Sequence, residues 1–124
     1  MSVDEFHAIV ERSQSEDDFK DRVVDLAHYH GWLVHHDRPA RQKDGSWATH
    51  IQGDRGFPDL VLVHRKRKIL VFAELKSTKG GIRPDQRTWL DALHAIESIS
   101  WVQVYLWRPS DWDEINQVLS GEAR

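Results

Sequence analysis

The chain has 124 residues, 40% hydrophobic and 30% charged, which suits one globular domain around one core rather than a disordered segment. It contains no cysteine, which excludes a disulfide framework, a thiolate zinc centre and a cysteine nucleophile. The net charge of -3 hides a basic middle: residues 1–30 carry 3 basic and 8 acidic side chains, residues 31–88 carry 12 and 6, and residues 89–124 carry 2 and 6. Such a middle can offer one positive face to a polyanion, or can simply be solvated surface.

In chain order, Ser2 and Glu5 form a capping-box pattern, and Val3, Phe6 and Val10 share a face. This predicts a helical extension over residues 1–14. Ser15 with Asp18 three residues on starts a second helix, with Phe19, Val23, Leu26 and His30 on one side and Gly31 ending it. Residues 32–36 read as a first strand. Residues 37–57 are charged and aperiodic, a long loop with room for a small hairpin around Gly45-Ser46-Trp47. Strands follow over 59–63 and 69–76, joined by the charged turn 64–68 and expected to pair antiparallel. The second of these is almost continuously apolar, so it is expected to be central. Pro84 opens a helix whose buried stripe is read as Trp89, Leu93 and Ile96. A strand over 101–107, closed by Pro109, precedes a last helix capped at Ser110 and running to Leu119. The order α-β-β-β-α-β-α predicts an α/β fold, a mixed β-sheet flanked by helices, forming one domain over 1–124 with its core at about 15–120. No apolar stretch could span a bilayer. The acidic opening Met1-Ser2-Val3-Asp4-Glu5 has no secretory pattern, so a cytoplasmic setting is expected.

The residues that carry chemistry are Pro58-Asp59 and Glu74-Leu75-Lys76. Residues two apart on a strand share a face about 6–7 Å apart, so Glu74 and Lys76 project together. Pairing through the charged turn would bring Asp59 to the Glu74 end. Two carboxylates and the Leu75 carbonyl suit a hard cation such as Mg²⁺, which polarises phosphodiester oxygens and activates water. The Lys76 ammonium can orient that water or hold the phosphate. The bland alternative is an apolar strand that merely reaches solvent in Glu and Lys. Arg38, Arg41 and Lys43 before the site, with Lys79 and Arg83 after it, are candidate DNA phosphate contacts. Most of the six tryptophans read as core rather than as base-stacking platforms, with Trp47 in the charged loop as the exception.

Gly56-Phe57-Pro58-Asp59-Leu60, Ala73-Glu74-Leu75-Lys76, Gln86 with Trp89-Leu90, and Val104-Tyr105-Leu106-Trp107-Arg108-Pro109 together resemble the VRR-NUC branch of the PD-(D/E)XK nucleases. The resemblance covers about residues 15–120. It implies a restriction-endonuclease-like core and Mg²⁺-dependent hydrolysis of DNA phosphodiesters, with Mn²⁺ able to substitute. It also implies Glu16 as a further metal ligand and Gln86 as a catalytic-site residue. Stand-alone short members resemble phage and bacterial Holliday junction resolvases, which implies branched DNA as substrate, a homodimer, and a place in recombination or repair. The alternatives are a non-catalytic DNA-binding module on the same fold, and a repair or restriction-type nuclease acting on linear duplex.

Overall fold

The computed structural model describes residues 2, 15–37, 40–41, 47–48, 52–97 and 101–122. The predicted helix over 1–14 and the candidate contacts Arg38 and Lys43 lie outside the described residues. The first described helix, α1 (Glu16–Tyr29), starts where Ser15 accepts the Asp18 N–H at 3.1 Å. Glu16, Asp17 and Asp18 fill its first turn, where the helix dipole favours negative charge. Phe19, Val23 and Ala27 form its buried stripe, and Gly31 (φ 87°) turns the chain out of it.

The described residues hold six strands, β1 (Leu33–His36), β2 (Ala40–Arg41), β3 (Trp47–Ala48), β4 (Leu60–His64), β5 (Ile69–Leu75) and β6 (Val102–Trp107), of which β1, β4, β5 and β6 are the four predicted. β2 and β3 form a two-stranded antiparallel hairpin within the long connection, with Arg41 on β2 and Trp47 on β3. The other four make one mixed sheet in the order β1-β4-β5-β6. β5 is central as expected, antiparallel to β4 and parallel to β6. The parallel step needs a crossover, supplied by α2 (Pro84–Ala95). A single 3-10 turn (Pro109–Asp111) leads into α3 (Trp112–Ser120). The predicted cap at Ser110 shifts accordingly, and the N-cap is Asp111, whose carboxylate accepts the Arg108 N–H at 2.8 Å.

Helices cover both sides of the sheet. On one, α1 and α3 pack Phe19, Val23, Ile115 and Leu119 against Leu60, Leu62, Val71, Ala73, Leu75 and Trp107. On the other, α2 packs Leu90 and Leu93 against Val104, with Phe72, Trp89 and Leu106 around them. This is the α/β layering the element order predicts. The stripe on α2 differs from expectation: Gln86, Leu90 and Leu93 are buried, Trp89 is half-buried, and Ile96 is exposed just past the helix end.

The charged turn between β4 and β5 has a structural task at Arg67. Its Nη1 donates to the carbonyls of Val118 (3.1 Å) and Leu119 (3.4 Å) at the end of α3, and its guanidinium lies 5.3 Å from the Trp32 ring centre. The Trp32 indole N–H donates to Leu119 as well (2.9 Å). These bonds satisfy carbonyls that a helix end leaves open. Among the described residues no helix is long and apolar enough to cross a membrane.

Candidate active site

Sheet register brings the site together. Leu60 pairs with Ala73, so one step further the antiparallel strands set Asp59 level with Glu74. Asp59 lies just before β4, directly after the buried Pro58. Its Oδ2 accepts the Leu75 N–H at 2.9 Å, which points the carboxylate across the end of β5. Lys76 lies one residue past β5 and is held there because its N–H donates to the Trp107 carbonyl at 3.0 Å.

Glu74 and Lys76 are both buried, at 1% and 6% exposure, which charged groups tolerate only with partners. Gln86 supplies them from the first turn of α2. Its Oε1 accepts Lys76 Nζ at 2.9 Å and the Arg83 N–H at 3.0 Å, while its Nε2 donates to Glu74 Oε1 at 3.1 Å. Lys76 Nζ stands 3.8 Å from the same Glu74 oxygen. One amide therefore fixes the ammonium and the carboxylate. This explains why a polar residue occupies the buried stripe of α2, which periodicity alone assigns to apolar side chains.

Glu74 Oε2 is buried with no hydrogen-bond donor. Burial pushes the Glu74 carboxyl up to about 8, reinforced by the charge of Asp59 and by hydrogen-bond contact with it, and only partly opposed by Lys76. Two ionised carboxylates side by side repel, and both are acceptors only, so the pair favours a proton or a cation beside it. Glu16 opens α1 at the rim of the same cleft. Its carboxyl is raised by burial, opposed by Lys76 and supported by Asp59 and Asp17. Among the described residues no three carboxylate or imidazole groups are close enough together to enclose an ion by side chains alone. The donor set that fits a hard cation is the Asp59–Glu74 pair, to be completed by backbone, water or substrate oxygens.

Glu16, Asp59, Lys76 and Gln86 line a cleft of about 790 Å³ that also takes in Lys20, Phe57, Leu75, Arg83 and Trp89, with Glu74 buried behind its wall. Arg83 reaches the cleft while its Nε lies 3.3 Å from Asp85. Lys79 is exposed on the turn beyond β5 and stands off the cleft wall. Of the predicted site residues, Glu16, Asp59, Glu74, Leu75, Lys76, Gln86 and Arg83 share one region.

The VRR-NUC domain profile matches residues 11–102, from ahead of α1 to the start of β6. The chain belongs to the VRR-NUC family. Comparison with curated proteins gives no match. VRR-NUC is a nuclease-type domain family, in keeping with an α/β core that gathers two carboxylates and a lysine at one strand end. In this VRR-NUC chain the roles of three motif residues do not follow from the sequence. Arg108 donates from Nη1 to the carbonyls of Ser77 (2.7 Å) and Gly80 (2.6 Å), tying down the turn that follows Lys76. Phe57 and Trp89 form an aromatic wall of the cleft. The available signal was spacing: Phe57 is two residues before Asp59, and Trp89 is one helical turn after Gln86.

Proposed function

We propose that this VRR-NUC chain is a divalent-cation-dependent DNA endonuclease, with Mg²⁺ as the ion, Mn²⁺ able to substitute, and Asp59, Glu74 and Lys76 as its catalytic residues. The observation that carries the proposal is the convergence of two carboxylates at one strand end, Asp59 set level with the buried Glu74 by the sheet register, beside an ammonium held on Gln86. Asp59 and Glu74 would hold the ion, with the Leu75 carbonyl and Glu16 available to complete its shell directly or through water. When bound, the ion supplies polarisation of the phosphodiester and a lowered pKa for water.

The chain's own groups do the rest. The Leu75 N–H keeps the Asp59 carboxylate turned across the strand end. Gln86 prevents the Lys76 ammonium from collapsing onto Glu74, leaving it able to orient the attacking water or carry charge on the phosphate. Arg83 in the cleft would hold the backbone on one side of the cut. Lys79, and the basic residues 38, 41 and 43, would extend that grip. With no evident base-reading element, recognition is of DNA shape, and branched DNA cut by a homodimer is the substrate and assembly we favour.

The test is cleavage of four-way, flap and linear DNA with and without Mg²⁺ or Mn²⁺, by the wild type and by Asp59→Ala, Glu74→Gln and Lys76→Ala. Each variant is expected to lose cleavage by about 10²–10³-fold or more while still folding and binding DNA. Full activity in any of them overturns its assigned role, and binding without cleavage by the wild type favours the non-catalytic module.

A further inference from the structure

One wall of the cleft carries no charge. Phe57 and Trp89 line it beside Asp59, Lys76 and Gln86. Phe57 is 37% exposed, which is high for a phenylalanine in a small domain. Its ring centre lies 4.9 Å from Trp89 at 87° and 5.9 Å from Phe72 at 89°. Both neighbours are edge-on, and no ring among the described residues is stacked flat on Phe57.

The wall is built to hold its shape. The Trp89 indole N–H donates to the Asp54 carbonyl at 3.2 Å, joining α2 to the loop ahead of β4. Immediately before Phe57, Gly56 (φ 95°) presses on α2 so closely that a Cβ there would lie 2.5 Å from Asp85 backbone atoms. Past Trp89 a cavity of about 380 Å³ continues, with Arg55, Asp85 and Ala92 around it. An aromatic surface thus runs outward from the groups that would handle the phosphate. A nucleotide has the matching pair of features, an anionic phosphate and an apolar π-face.

We propose that Phe57, backed by Trp89, is a stacking platform for an unpaired nucleobase adjoining the phosphate that is cut. It is therefore a specificity determinant that favours DNA with an unpaired nucleotide at the cut over continuous duplex. In continuous duplex each base is covered by its neighbours, and only an unstacked one offers a face to a side chain. The proposal rests on the nuclease reading for its functional meaning, but stacking itself can be read without cleavage.

Two measurements test it. In the Asp59→Ala background, DNA carrying 2-aminopurine, which loses fluorescence when stacked, is bound with the analogue either in a one-nucleotide bulge or in continuous duplex. Quenching on binding is expected only in the bulge, lost when Phe57→Ala or Phe57→Leu is added and retained with Phe57→Trp. The leucine variant keeps the apolar packing without the π-face, and thermal melting checks that each variant folds. In the cleavage-competent protein, the wild type is expected to cut the bulged substrate about tenfold or more faster than the duplex. That ratio should collapse in Phe57→Leu and persist in Phe57→Trp. Quenching that ignores Phe57, or a cleavage ratio unchanged in Phe57→Leu, overturns the platform. If quenching tracks Phe57 while no variant cuts any DNA, the platform stands and the nuclease reading falls.

Discussion

At the scale of single residues, Gln86 is the group on which the site's geometry turns. A buried ammonium and a buried carboxylate 3.8 Å apart would pair directly if nothing else held them. The Gln86 amide accepts from one and donates to the other, so both keep orientations that leave them usable by a substrate. Gln86→Leu preserves the bulk and removes all three hydrogen bonds. Lys76 is then expected to close on Glu74, neutralising the charge that would hold a cation. Loss of a group that orients metal ligands typically costs about 10–100-fold. The expected outcome is a kcat lower by that factor, a higher Mg²⁺ requirement and little change in KM for DNA. Steady-state kinetics across a Mg²⁺ titration would check it, and wild-type kcat at low Mg²⁺ would remove Gln86 from the site.

At the scale of elements, the site is a junction between the end of β5, the loop ahead of β4 and the N-terminus of α2. Gly56 sets that junction. Its φ of 95° already disfavours any side chain, and a Cβ would meet Asp85 C and O at 2.5 Å and Gln86 N at 2.7 Å. Gly53 has a similar φ of 94° but nothing within 4 Å, so it separates backbone strain from collision. Gly53→Ala should cost about 1–2 kcal/mol. Gly56→Ala should lower the melting temperature further and displace Gln86, reducing cleavage as well. Equal melting temperatures for the two variants would refute the junction. The same junction explains what was legible in the sequence. Ser15, Gly31 and Pro84 mark helix ends through local chemistry, and β4 and β5 show in their apolar runs, so element order and the pairing of Asp59 with Glu74 could be read directly. The polar member of α2's buried stripe could not, because periodicity counts a glutamine as solvent-facing and only its partners across the layer justify burying it. Arg67 and Arg108 were visible as charge, but the carbonyls they bind lie 51 and up to 31 residues away in the chain. Trp89 looked like core because apolar character does not distinguish a packed wall from an open one, and Phe57 stood only as part of the motif ahead of Asp59.

For the whole molecule, burying an ionised Glu74 beside Asp59 opposes folding, Lys76 offsets this only in part, and a proton or a further cation relieves it. The folded protein raises the Glu74 carboxyl from its ordinary 4.5 to about 8. Between those values the folded chain keeps a proton that the unfolded chain has released. Stability is therefore expected to be full below about pH 4.5, as far as this group is concerned, and to fall as pH rises towards about 8. On the proposed function a divalent cation would take over the proton's role, so the loss should appear in chelator and shrink in Mg²⁺ or Mn²⁺. Binding at a hundred times Kd would add about 2.7 kcal/mol, or roughly 5–15 °C in Tm for a domain of this size. Asp59→Asn separates this effect from general salt stabilisation. The amide can still accept the Leu75 N–H and can donate to Glu74, so it relieves the repulsion while removing a ligand charge. In chelator near pH 8 this variant is expected to melt above the wild type, and to gain little from Mg²⁺. That trade of stability against a strained functional site is common in enzymes. Calorimetric scans of both proteins from about pH 5 to pH 9, with chelator and with Mg²⁺, decide the matter. A flat wild-type profile in chelator, or equal Mg²⁺ stabilisation of the two proteins, would mean that the carboxylate pair is not where the cation acts.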